Sequence, residues 1–272
     1  MDPVVGSSRA IPAEPAPPVE GEIKRTAPAR LAGVVFVDLP GDIVARTPLL
    51  ADLDEIENAR IITDEDLRGI TKTKIEELNS DRLMTGLLWG HNRIEWCKLL
   101  HHPGARAVVA IDTNNPDMRG NRVLGFFNYF AGKFPPGYDD LKTLIAGTED
   151  AKQYCLSDTV CTRKDAPKGL YQVMLAIGMQ TMLQAGFEYS YDFCRLLPVY
   201  NGAMRFHLKE GWERVRDARG KPLIVTELHH AECVDERVEA KFAVLKLRLD
   251  PARIQAALNA AQDEGAKIER LG

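Results

Sequence analysis

Apolar and polar positions along this chain follow two periods, and the segments that carry each are mostly distinct. The helical period is clearest from Lys168 to Ala185. There Leu170, Val173, Met174, Ile177, Thr181 and Met182 share a face, and Gly186 stands where a helix closes. A second stripe, Ile254, Ala257, Leu258 and Ala261, follows Asp250 as a cap and Pro251 in the first turn. A helix is expected from about Asn92 to His101, stopped by Pro103-Gly104. Another should start at Thr63, with Asp66 three residues on, and run through Leu67, Ile70, Lys74 and Leu78.

Strands are expected at Gly33 to Asp38, at a short segment ending in Ile61-Ile62, and at Arg106 to Asp112. A polar turn over 114–121 then leads into Arg122 to Phe130. Further strands fall at Tyr154 to Arg163, Glu188 to Arg195 and Lys241 to Leu249. Residues 42–57 commit to neither period. Residues 133–150 read as an irregular or short helical insertion, and a charged loop is expected up to about Arg237. This order lacks the regular strand–helix alternation of a doubly wound fold and predicts an α/β protein with a mixed sheet and helices on both faces.

Composition narrows the picture. Of the 272 residues, 45% are hydrophobic and 27% charged, which suits a packed core. Residues 1–30 are the exception: Ile11-Pro-Ala-Glu-Pro-Ala-Pro-Pro18 buries too little apolar surface to offset ordering, and a disordered tail is expected. The formal net charge of −4 gives no electrostatic case for nucleic acid. No apolar run reaches bilayer length, so no membrane span is expected, and the N-terminus lacks a basic-then-apolar signal pattern. Five cysteines, an odd number, fit free buried thiols in a reducing cytoplasm.

Two segments carry candidate chemistry. Arg163-Lys-Asp-Ala-Pro-Lys-Gly-Leu-Tyr171 lies between a strand and the long helix. A helix N-terminus there offers free N–H groups and a positive dipole end, Gly169 lets the backbone approach a phosphate, and Lys168 adds charge. The competing reading is an ordinary strand-to-helix turn with an exposed lysine. In Val199-Tyr-Asn-Gly-Ala-Met-Arg-Phe-His-Leu-Lys-Glu-Gly-Trp-Glu-Arg-Val215, Asn201 suits a helix cap and Gly211 a left-handed closing residue. His207 on that helix is either a proton donor or a packing residue. His229-His-Ala-Glu-Cys233 has metal-ligand residue types without a second cluster, and reads as charged surface with no metal. His101-His102 reads as a helix end. Cys161 and Cys194 lack an adjacent His–Asp pair, so nucleophilic catalysis is not expected. Phe126, Phe127, Tyr129 and Phe130 should build core on one face of their strand and face an acceptor pocket on the other.

Together the two segments resemble the acyl-CoA-binding half of a GNAT-superfamily N-acyltransferase, over about residues 58–249. Ala203, Lys209, Gly211 and Trp212 fall at the family's spacing, and Gly169 matches the first glycine of its pyrophosphate loop. The departures are Ala166 where Gln or Arg is usual, Tyr171 where a small residue is usual, His207 where the general-acid Tyr is usual, and Asn201 one position off.

The resemblance implies a GNAT-like mixed, mostly antiparallel central sheet. It divides the chain into a tail (1–30), an N-terminal extension (31–57), the acyltransferase domain (58–249) and a C-terminal helix (250–272). It implies transfer of an acyl group, acetyl above all, from acetyl-CoA or another acyl-CoA to a small-molecule or peptide amine. His207, Asp158 and Tyr200 stand as the catalytic candidates. Cys161, Arg163, Lys168, Gly169, Leu170 and Asn201 stand at the donor. Two alternatives stay open: an acyl-carrier-protein or long-chain acyl donor, as in autoinducer and N-acyl amino acid synthases, and a catalytically inactive GNAT-like binding module. The oligomeric state is open, a dimer included.

Overall fold

Alternate residues of the first strand face two different cores, and the rest of the molecule is built around that division. In the computed structural model, which describes residues 30–58, 93–115, 122–131, 154–163, 165–195, 202–217, 219–231 and 236–270, β1 (Val34–Pro40) turns Val34 and Phe36 to one side and Leu39 to the other. Two short helices follow, α1 (Gly41–Arg46) and α2 (Leu49–Asn58), where the sequence had committed to no period. Next come α3 (Arg93–Leu100), β2 (Ala105–Asp112), β3 (Arg122–Phe130) and β4 (Tyr154–Thr162). The second half holds α4 (Leu170–Gln184), β5 (Tyr189–Arg195), α5 (Gly202–Lys209), β6 (Glu213–Arg214), β7 (Ile224–Ala231), β8 (Glu236–Arg248), α6 (Pro251–Asp263) and β9 (Lys267–Arg270). The helix expected after Thr63, the strand ending at Ile62, the insertion over 133–150 and, except for Arg30, the tail over 1–30 lie outside the described residues.

The sheet order is β6-β8-β5-β4-β3-β2-β1-β9, with β7 also on β8. β1 through β4 are antiparallel neighbours, β4 and β5 are parallel, and β8 returns antiparallel to β5. This is the mixed, mostly antiparallel sheet expected, with helices on both faces. α4 and α6 cover one face over Val34, Phe36, Phe127 and Tyr129. α1, α2 and α3 cover the other over Leu39, Val109, Phe126 and Cys161. A smaller cluster, Phe130, Leu156, Tyr191 and Val244, continues that second face.

Several expectations change. Phe126, Phe127, Tyr129 and Phe130 are all buried, so both faces of β3 are core. The reason is that helices cover the sheet on each side. The charged stretch before Arg237 is not all loop: Ile224–Ala231 pairs along its length with β8, so His229 and His230 lie on a strand. Residues 31–58 supply β1 to this same sheet and α1 and α2 to the helices that cover it. At the other end α6 packs on α4 through Ile254, Leu258 and Ala261, and β9 pairs in parallel with β1.

One carboxylate is enclosed under α4. Asp38 accepts from Tyr129 Oη at 3.0 and 3.1 Å, Thr181 Oγ1 at 2.6 Å and Arg106 Nε at 3.2 Å. Burial first, then Asp38, pushes the Tyr129 phenol well above its ordinary range. Burial opposes the Arg106 cation, and Asp38 and Tyr129 together outweigh it and raise its pKa. A buried charge is tolerable when its lone pairs are met in this way. β1, β2, β3 and α4 are thereby tied at one point.

Candidate functional site

Parallel pairing of β4 with β5 runs from Tyr154↔Tyr189 to Ser157↔Asp192 and then stops. Both strands continue, β4 to Thr162 and β5 to Arg195, so the sheet opens between them. The register of β4 on β3 shifts at the same place: Tyr129 pairs with Ser157 and Asn128 with Thr159. Asp158 is the extra residue of that bulge, and a bulge increases local twist and re-aims its strand. The split and the bulge are thus one event in the backbone.

α4 begins beyond the end of β4. Gly169 precedes it at φ +97°, a left-handed conformation that favours glycine. The first helical bond runs from Val173 N to Gly169 O at 3.3 Å. The amides of Leu170, Tyr171 and Gln172 therefore precede the ladder, as at any helix start. Lys168 is exposed, and the Leu170 side chain is buried in the core. Arg30 lies over the turn: a Cβ on Gly169 would stand 3.4 Å from its guanidinium. Nothing in the sequence links Arg30 to a loop so far along the chain. Asp165 is held by Arg122, whose hydrogen bond lowers its pKa.

Two donor candidates point elsewhere. Arg163 donates from Nε to Val123 O at 2.7 Å and pairs with Glu55 at 2.8 Å, so its guanidinium is committed to β3 and α2. Cys161 turns its thiol into the core beside Phe126. Tyr200 and Asn201 lie outside the described residues.

Asp158 sits at the mouth of the split, accepting from Asn128 Nδ2 at 2.9 Å and Thr159 Oγ1 at 3.3 Å. On the opposite face, His207 is 3% exposed, and its Nε2 lies 2.9 Å from Asp192 Oδ2 and 3.0 Å from Tyr171 Oη. The rings of Phe206 and Trp212 stand edge-on to the imidazole. Burial first, then Asp192, raises Tyr171 well above the usual phenol range, so it keeps its proton. His207 Nδ1 has no hydrogen-bond partner among the described residues. α5 closes at Gly211, φ +83°, as its sequence predicted. Nothing in the sequence pairs Asp192 or Tyr171 with His207: Asp192 is one polar position of an alternating strand, and only the fold brings it to α5.

Below this cluster is a cavity of about 660 Å³, whose lining includes Leu175, Met179, Phe206, Trp212 and Ile254. Among the described residues, no group of three or more His, Cys, Asp or Glu could hold a metal ion. No helix among them is long and apolar enough to cross a membrane.

No protein-family model matches this chain, and no curated protein sequence does. Solved structures align with its fold at low identity. An acetyltransferase of the GNAT family from Streptococcus pneumoniae is 12% identical over 79% of this chain and 99% of its own, with a TM-score of 0.42. NAA60 of Arabidopsis thaliana, solved with acetyl-CoA, is 10% identical over 66% and 96%, with a TM-score of 0.43. BjaI, a CoA-dependent acyl-homoserine lactone synthase solved with SAM and isopentyl-CoA, is 9% identical over 88% and 94%, with a TM-score of 0.45.

Proposed function

We propose that this chain is an N-acyltransferase that moves an acyl group, acetyl above all, from acyl-CoA to an amine by direct attack. The observation that carries the reading is the parting of β4 from β5 at the Asp158 bulge, beside the glycine-led start of α4. A thioester lying in the split would have main-chain groups of β4 along one side. Its pyrophosphate would meet the first amides of α4, with Lys168 and Arg30 adding charge.

The chemistry balances without a covalent enzyme intermediate. Asp158 accepts a proton from the amine, directly or through water, and the nitrogen attacks the thioester carbonyl. A β4 N–H stabilises the oxyanion, the C–S bond breaks, and the thiolate takes a proton. His207 Nε2, which contacts both Asp192 and Tyr171, passes its proton to the Tyr171 oxygen as the hydroxyl's own proton goes to the thiolate, so Tyr171 ends the step protonated. The acceptor in this scheme is a small-molecule or peptide amine, and the donor is acyl-CoA.

Calorimetry with acetyl-CoA and thiol release with a panel of amines test this. Binding and amine-dependent thiol release are expected. Gly169→Glu should abolish binding, and His207→Phe should lower turnover by about two to four orders of magnitude while leaving acetyl-CoA affinity intact. A parent protein that does not bind acetyl-CoA would overturn the proposal.

A further inference from the structure

Asn128 lies on β3, opposite Thr159 and next to the Asp158 bulge. It is 0% exposed. Its side chain belongs to the face away from α4, in the interval between Phe126 with Cys161 and Phe130 with Leu156. Its two polar atoms have different fates. Nδ2 donates to Asp158 Oδ2 at 2.9 Å. Oδ1 is buried with no hydrogen-bond partner among the described residues.

This orientation of the amide is required by chemistry. A carboxylate only accepts hydrogen bonds, so the NH2 end must be the one that meets Asp158, and the oxygen takes no part in that contact. A polar core residue left with a bare acceptor is costly, and the same strand could have carried an apolar residue there. Asp158 alone could have been held by Thr159 Oγ1. The bare oxygen beside the carboxylate therefore calls for a donor that arrives with the substrate.

We infer that Asn128 receives the acceptor amine, an inference that rests on the acyl-transfer reading above. One N–H of the incoming nitrogen goes to Asn128 Oδ1 and another to Asp158. Two acceptors on adjacent strands suit a primary amine or its ammonium form, which carries the donors to meet both. They do not suit a quaternary nitrogen, which has none. Asn128 Nδ2 keeps the carboxylate in the bulge while the amine binds. Asn128 is thus a residue of acceptor recognition rather than of donor binding.

The first arm of the test uses the full chain, labelled with nitrogen-15, and needs no turnover. Propylamine should shift the Asn128 side-chain amide resonances in a saturable way, and tetramethylammonium should not. The second arm is kinetic. Asn128→Leu, similar in volume, should raise the KM for the acceptor about tenfold or more, with acetyl-CoA affinity unchanged by calorimetry. Should Asn128→Leu fail to fold, the resonance arm decides. Resonances that ignore propylamine, or that move equally with tetramethylammonium, overturn the inference. Failure of the parent to bind acetyl-CoA would instead remove the acyl-transfer reading, and the propylamine arm reports independently of it.

Discussion

Cys155 shows how much a single buried group feels its surroundings. Its thiol contacts Met182 Sδ at 2.8 Å and Tyr189 O at 3.3 Å under α4. Burial pushes its pKa from 9.0 up to about 12. In the unfolded chain the thiol loses its proton near 9, and in the folded chain it keeps it. Between pH 9 and 12 the unfolded state binds fewer protons, so stability falls as pH rises; below 9 the contribution is fully present. The slope is at most about 1.4 kcal/mol per pH unit. Urea unfolding at pH 8 and pH 10.5 should show a larger loss for the parent than for Cys155→Ala. Equal losses would mean that the thiol ionises freely in the fold. At this scale legibility was uneven. Gly169 and Gly211 announced themselves because their neighbours are helix ends. Asp38, Asn128 and Asp192 did not, since each is one polar position in an apolar strand and its partners come from other elements.

α4 illustrates the same limit for elements. Its stripe marked it as a helix, but the stripe does not say how close it lies to the sheet. Gly178 answers that: a Cβ there would stand 2.6 Å from Phe127 Cε1 and 3.2 Å from Tyr129 Cε1. In an open helix Gly→Ala gains about 1 kcal/mol. Here overpacking against two stacked rings should cost about 1–3 kcal/mol and reverse the sign. Gly178→Ala should therefore lower the urea midpoint; a higher midpoint would show that α4 has room to lift. The pair β2 and β3 was legible because apolar runs flank a turn-rich segment. β9 was not, because Lys267-Ile-Glu-Arg270 has one apolar residue and becomes a strand only by pairing with β1. β7 was hidden by its charges and is fixed by register with β8.

At the scale of the molecule, the start and end of the described fold hold each other. Leu31 N donates to Glu264 O at 2.8 Å, and Arg30 pairs with the Glu264 carboxylate at 3.5 Å. Deleting residues 1–28 should leave the melting temperature within a degree or two. Deleting residues 250–272 removes the apolar cover of Ile254, Leu258 and Ala261 and should cost about 10 °C or more. A large loss from the first deletion, or a small one from the second, would contradict this account of the core. Reading the chain's order of elements gave the class of sheet but not this closure, since a contact between residues 234 positions apart leaves no local pattern.

That clasp also sets a timetable. A ribosome adding about 5–20 residues each second makes β1 on the order of tens of seconds before β9. Throughout that interval one edge of β1 has no neighbour, and α4 lacks α6. Nascent chains would present an open strand edge and an uncovered helix face together, the surfaces through which unfinished proteins aggregate. Yield in a recombinant host should then depend on translation rate and chaperone supply more than on the stability of the finished fold.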